Sequence, residues 1–214
     1  MRKRIVLIIT TIILTVMSSM CINKEEGGYM ENKAINGKVL MVIAPKDFRD
    51  EELFEPMAVF ESNGLKVDVV STKKGECVGM LGNKIEVKKT IYDINNVDDY
   101  DAIVIVGGIG SKEYLWNNTK LIELVKEFYD KDKVVAAICL SPVVLARAGV
   151  LIGKKATVFP APEAIEELKK YGAIYEDKGV VVDGNVITAK SPDYARLFGL
   201  EVLKAIEKEK NKNK

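Results

Sequence analysis

Between residues 38 and 207, short aliphatic runs alternate with stretches whose apolar positions recur every three or four places. The runs are Val39 to Ala44, Val67 to Ser71, Ala102 to Val106, Val134 to Ile138 and Ala156 to Phe159. Each is short and apolar throughout, the pattern of strands buried on both faces of a parallel sheet and not of a half-exposed antiparallel one. Between them, Leu53, Met57 and Phe60 share one helical face ahead of a stop at Asn63-Gly64, and Leu121, Leu124, Val125 and Phe128 form a second stripe. Two further helices are expected over Val143 to Ala148 and Glu163 to Tyr171, each stopped by a glycine. Val180 to Ile187 reads as a hairpin turning on Asp183-Gly184, and Pro192 to Ile206 as the last helix. Alternation of this kind predicts a three-layer α/β/α sandwich with a mostly parallel sheet and crossover helices on both faces.

The first 22 residues follow another pattern. Arg2, Lys3 and Arg4 precede an uncharged stretch from Ile5 to Ile22. Its length lies between a signal peptide's apolar region and a short membrane span. Cys21 after Ser18-Ser19-Met20 faintly resembles a lipoprotein processing site. Residues 1–22 are therefore expected to be a signal peptide or membrane anchor, with the domain outside the cytoplasm. Residues 23–37 read as a polar linker, 38–207 as the domain, and 208–214 as a solvated charged tail.

Lys plus Arg total 32 and Asp plus Glu 31, a formal charge of +1. That balance argues against a nucleic-acid surface, which needs an excess of Lys and Arg. The chain has no histidine. Ser-His-Asp, Cys-His and His-metal mechanisms supplied by this chain alone are thereby excluded. Cys21, Cys77 and Cys139 are spread over leader, turn and strand end, which makes neither a disulfide framework nor a metal cluster.

Ligands of such sheets bind at the carboxyl ends of the strands. Three loops there carry candidate chemistry: Asp47 to Pro56, Gly107 to Ser111, and Cys139 to Pro142. Cys139 ends a strand and is followed at once by a helix, with Ser141 placed to cap it and Pro142 suited to its first turn. A strand, sharp turn and helix lift a nucleophile out of a sheet, and a helix N-terminus lowers a thiol pKa from about 8.5. From these residues alone, Cys139 reads equally well as a small buried hydrophobe. Glu51 and Glu55 read as helix-start solvation, while Pro56 conflicts with a helix already under way. Gly107-Gly108 permits close backbone approach and can aim N–H groups at a developing oxyanion, or simply end a strand.

Taken together and in order, these segments resemble the ThiJ/PfpI family, which includes the PfpI-type peptidases and the Parkinsonism-associated protein deglycase. The resemblance rests on Glu52-Leu53-Phe54-Glu55-Pro56, on Ile105-Val106-Gly107-Gly108, and on Ala136-Ala137-Ile138-Cys139-Leu140-Ser141-Pro142 followed by Ala148-Gly149-Val150-Leu151. Gly153 to Thr157 and Val182-Asp183-Gly184-Asn185 follow in the family's order. It implies a flavodoxin-like, class I glutamine amidotransferase-like fold with a nucleophile elbow. By the same resemblance Cys139 matches the elbow cysteine, Glu52 the acid that hydrogen-bonds its thiol, and Gly108 a glycine lining the anion pocket, with Leu140 beside it. A Glu52 carboxylate would raise the thiol pKa, whereas a protonated Glu52 can donate to the sulfur, so Glu52 is expected to be protonated near neutral pH.

This chain also departs from the family. Leu140 stands where PfpI-type peptidases carry a histidine, and Phe159 in Thr157-Val158-Phe159-Pro160 where the deglycase branch carries one. A peptidase without them lacks its general acid and base, worth roughly 100- to 10,000-fold, so peptide hydrolysis is disfavoured. The resemblance then implies a cysteine enzyme acting on small reactive carbonyls or their adducts, with no metal or cofactor. The alternatives are a redox or stress-response module with an oxidisable Cys139, and a scaffold without chemistry. The expected partners are a small-molecule substrate and a second copy of the chain, as a homodimer or larger homo-oligomer, with no nucleic acid and a membrane only through residues 1–22.

Overall fold

The aliphatic runs become strands because their β-branched side chains fill both faces of a pleated sheet and leave no polar edge to solvate. The computed structural model describes residues 35–212. Gly37–Val42 forms β1, Lys46–Phe48 β2, and Asp50–Ser62 the first helix, α1. Leu65–Ser71 is β3, the hairpin Gly75–Gly79 and Lys84–Val87 supplies β4 and β5, and Lys89–Thr90 is β6. Ala102–Ile105 (β7) leads into a one-turn α2 at Gly110–Tyr114 and α3 at Thr119–Asp130. Val134–Ile138 (β8) leads into α4 at Pro142–Arg147. After Lys155–Ala156 (β9), Pro162–Lys170 (α5) and Ile174–Tyr175 (β10) come the hairpin strands Val180–Asp183 (β11) and Val186–Ala189 (β12). Ala195–Lys212 (α6) closes the described chain.

Seven strands make the central sheet in the order β11-β12-β8-β7-β1-β3-β6, with every pair parallel except β11–β12. Helices α1 and α6 pack together on one face, and α3, α4 and α5 on the other. This is the α/β/α sandwich the hydropathy pattern predicts. Strands β7 and β8 are wholly buried, and both end beside the candidate chemistry.

Several local expectations are corrected. The run Ala156 to Phe159 yields only the two-residue β9, paired with β10 outside the main sheet. Thr157 is tied there through its own polar groups, its N–H donating to Thr188 Oγ1 (2.9 Å) and its hydroxyl to the Lys178 carbonyl (2.8 Å). The hairpin turns on Gly184-Asn185, one residue later than expected, because Asp183 pairs with Val186 across it. The segment around Cys77 is a strand, β4, and not a turn. Helix α1 continues through Pro56, so that proline removes one hydrogen bond without ending the helix.

The leader, residues 1–22, lies outside the described residues. Among the described residues no helix is long and apolar enough to cross a membrane. The expectation of a membrane-anchored or exported domain is corrected to this extent: residues 35–212 hold no membrane-spanning helix. The domain's helices are one-sided: α6, the longest, exposes Arg196, Lys204, Glu207 and Lys208 and buries Phe198, Val202 and Ile206 against the sheet.

Candidate active site

Cys139 follows β8 directly and has φ +62°, a left-handed conformation costly for any residue with a Cβ. Neighbouring hydrogen bonds hold it there. The Cys139 N–H donates to the Ala189 carbonyl (2.9 Å), and the Cys139 carbonyl accepts the Phe159 N–H (2.8 Å). One residue on, the Leu140 carbonyl accepts Trp116 Nε1–H at 2.8 Å. Ser141 starts α4 but does not cap it. Its hydroxyl donates to the Val106 carbonyl (2.7 Å) and accepts from Ser111 Oγ (2.8 Å), tying the elbow to the end of β7 and to α2. Cys139 is thus strained and nearly buried, 7% exposed.

Glu52 comes to it from the first turn of α1. The side chain is fully buried, with Oε2 accepting the Gly107 N–H at 3.0 Å and Oε1 buried without a formed hydrogen bond. The polar group facing this carboxyl is the Cys139 thiol. Burial pushes Glu52 up to about 8, against the pull of the thiol, the Gly107 N–H and Arg49. Near neutral pH it is therefore mainly the protonated acid, the state expected from the sequence.

The thiol behaves differently from the expectation. A helix N-terminus was expected to lower its pKa, but burial raises it, and an ionised Glu52 beside it raises it further. The backbone N–H groups of Gly108 and Leu140 beside the sulfur pull back in the other direction. Helix α4 is only six residues long, so its dipole is small against the desolvation of a sulfur buried under the loops. The two acids titrate as a pair, and the first proton leaves near the Glu52 value.

The four residues singled out in the sequence, Cys139, Glu52, Gly108 and Leu140, come together at one place. In sequence Gly107-Gly108 reads either as an oxyanion loop or as a strand end, and the packing of Gly107 between thiol and carboxyl is not legible there. A Cβ on Gly107 would lie 2.5 Å from Cys139 Cβ and 2.5 Å from Glu52 Oε2. Only the absent side chain lets carboxyl and thiol meet. Gly108, at φ +101°, is equally restricted, since a Cβ there would lie 2.5 Å from the Asp47 carbonyl oxygen and the Arg49 nitrogen. Gly107→Ala is accordingly expected to separate the pair, slow Cys139 alkylation about 100-fold and destabilise the domain by about 1–3 kcal/mol. Thiol labelling followed by mass spectrometry, alongside denaturant melts, measures both.

Trp116 lies under the elbow at 5% exposure. Cys77 is fully buried in the core, and burial raises its thiol pKa. A polar cavity of about 590 Å³, lined by Asp101, Lys131, Lys133, Asn185, Lys208 and Lys210 among others, opens at the amino ends of β7 and β8, away from the thiol.

Residues 37–205 match the model of the DJ-1/PfpI family. An uncharacterized protein of Methanocaldococcus jannaschii is 82% identical over 206 residues, covering 96% of this chain and 98% of that protein. Deglycase PfpI of Pyrococcus furiosus is 32% identical over 153 residues, 72% of this chain and 90% of that protein. The crystal structure of a ThiJ/PfpI domain protein from Brachyspira murdochii is similar with a TM-score of 0.76 and 33% identity, covering 80% of this chain and 96% of that one.

Proposed function

The chain belongs to the DJ-1/PfpI family, and from that premise we propose that it is a Cys139-dependent enzyme acting on small reactive carbonyls or their adducts. The observation that carries this reading is the buried Glu52 carboxyl packed across Gly107 from a strained elbow cysteine. Sulfur adds to an aldehyde carbon, and the carbonyl π pair moves onto oxygen. Glu52 receives the sulfur's proton and delivers its own to the new hydroxyl, giving a neutral hemithioacetal. The Gly108 and Leu140 N–H groups, which meet the sulfur at rest, are placed to hold the developing oxyanion. With an α-oxoaldehyde, the carboxylate fraction of Glu52 takes the C–H proton of the adduct to leave an enediolate and returns it to the neighbouring carbon, while the hydroxyl proton passes from one oxygen to the other, giving a 2-hydroxy thioester. Water hydrolyses it to the hydroxy acid and restores the thiol.

No step here needs a histidine, and none is present. Peptide hydrolysis is a poorer fit, since an amine leaving group needs an acid and the pocket offers Leu140 and Phe159 where an imidazole would stand. The substrate is a small molecule, and a homodimer or larger homo-oligomer is the assembly we infer for the family's architecture. Excess methylglyoxal given to the purified chain is expected to be consumed over many turnovers, with lactate as product. Loss of one equivalent per chain, with the sulfur left modified, would instead identify a single-use redox or carbonyl-trapping module.

A further inference from the structure

The two peptide planes after Cys139 are each fixed by one donor. The Cys139 carbonyl is held by the Phe159 N–H at 2.8 Å, which turns the N–H of the same peptide, that of Leu140, the opposite way, toward the sulfur. The Leu140 carbonyl is held by the Trp116 indole, also at 2.8 Å, in a buried bond. Trp116 is itself braced. The Arg147 guanidinium lies 5.6 Å from its ring centroid, donates to the Trp116 carbonyl at 3.2 Å and binds Glu167 at 2.6 Å, with both charged side chains only 17% exposed. Arg147 also donates to Asn117 Oδ1, and Lys112 Nζ lies 5.8 Å from the Trp116 centroid. The chain contains a single tryptophan, and it sits one hydrogen bond from the residue that follows the nucleophile.

We propose that Trp116 is a positioning residue for Cys139: its indole N–H, braced by Arg147 and Glu167, fixes the Leu140–Ser141 peptide, so that Leu140 is clamped between Phe159 and Trp116 and its N–H keeps its place beside the sulfur. The inference rests on Cys139 being the reactive thiol. Phe159 fixes one side of Leu140 through backbone alone, which any residue can supply. The other side depends on a side-chain donor, and of the apolar-bodied side chains only tryptophan brings a buried N–H on a large rigid ring. Without it the Leu140 carbonyl is buried and unpaired, and relieving that by rotation of the Leu140–Ser141 peptide would release one side of the clamp on Leu140.

The test is the pH profile of iodoacetamide alkylation at Cys139, in the full chain and in Trp116→Phe, which keeps an aromatic plate beside Arg147 but has no N–H. The variant is expected to alkylate about tenfold more slowly at pH 7, with its inflection about one pH unit higher. In the wild type, Trp116 emission is expected to shift at the same rate as Cys139 is alkylated. A lowered melting temperature with an unchanged pH profile would make Trp116 a packing residue only and overturn the proposal. Should Trp116→Phe fail to fold, the emission arm decides: emission that stays constant while the thiol is consumed overturns it. A wild-type Cys139 that resists alkylation at every pH sinks the enzymatic reading, and Trp116's role with it. A reactive wild type with an indifferent variant sinks the positioning role alone.

Discussion

Cys139→Ser is expected to abolish methylglyoxal turnover, a loss on the order of 10⁴-fold or more, as for removal of other covalent nucleophiles. A serine hydroxyl holds its proton far more tightly than a thiol, and the elbow has no imidazole to remove it. The protonated Glu52 that serves a thiol cannot serve an alcohol. The fold should be nearly indifferent, with stability within about 1 kcal/mol, because serine matches cysteine in shape and its backbone at φ +62° is held by the Ala189 and Phe159 bonds. Cys77→Ser should give the opposite pair of results. It places a hydroxyl in the apolar core beside β5, costing about 1–3 kcal/mol, yet leaves turnover intact. Turnover and denaturant melts on the two variants separate site from scaffold. A Cys139→Ser protein that keeps half its activity would remove the cysteine from the mechanism.

The sheet was readable because its strands are buried on both faces and announce themselves as unbroken aliphatic runs. Val134 to Ile138 needs no partner information to be recognised. The β4–β5 hairpin was not readable, because its anchor is tertiary. Its tip is held by the buried Asp50 carboxylate, which accepts the Leu81 and Asn83 N–H groups from 31 and 33 residues away in sequence. The site shows the same division. Cys139 is a candidate from its strand-end context, while Glu52 and Gly108 are singled out only through the family resemblance. Gly107 and Trp116 act only through a residue far along the chain, the former on Glu52 and Cys139 together, the latter on Leu140. The raised thiol pKa escapes the sequence for a related reason. A helix N-terminus is visible in sequence, whereas the burial that outweighs it exists only when loops from β1, β7 and β8 converge.

Glu52→Gln carries the second large effect, and its sign can be worked out in advance. Folding raises the carboxyl from its ordinary 4.5 to about 8. Between those values the native state holds a proton that the unfolded chain releases, so stability falls as pH rises. The favourable contribution is complete below pH 4.5 and is lost by the time pH passes about 8, with a total of about 5 kcal/mol. Glutamine cannot ionise, so the variant's stability should stay flat through the same window and exceed the wild type's at pH 9. The chemistry should move the other way. Glutamine can still donate to sulfur through its amide but cannot exchange a proton with it, so turnover should drop roughly 100-fold or more. The wild-type thiol, coupled to Glu52, should alkylate with an inflection near the first proton loss of the pair, about 8. In the variant the buried thiol ionises alone, and the inflection should move upward, because burial still opposes the thiolate and no acid shares its proton. Melts at pH 5 and pH 9, with alkylation profiles of both proteins, test the pair directly. If pH dependence and inflection were the same in both, Glu52 would be a buried carboxyl without a part in the reactivity of Cys139.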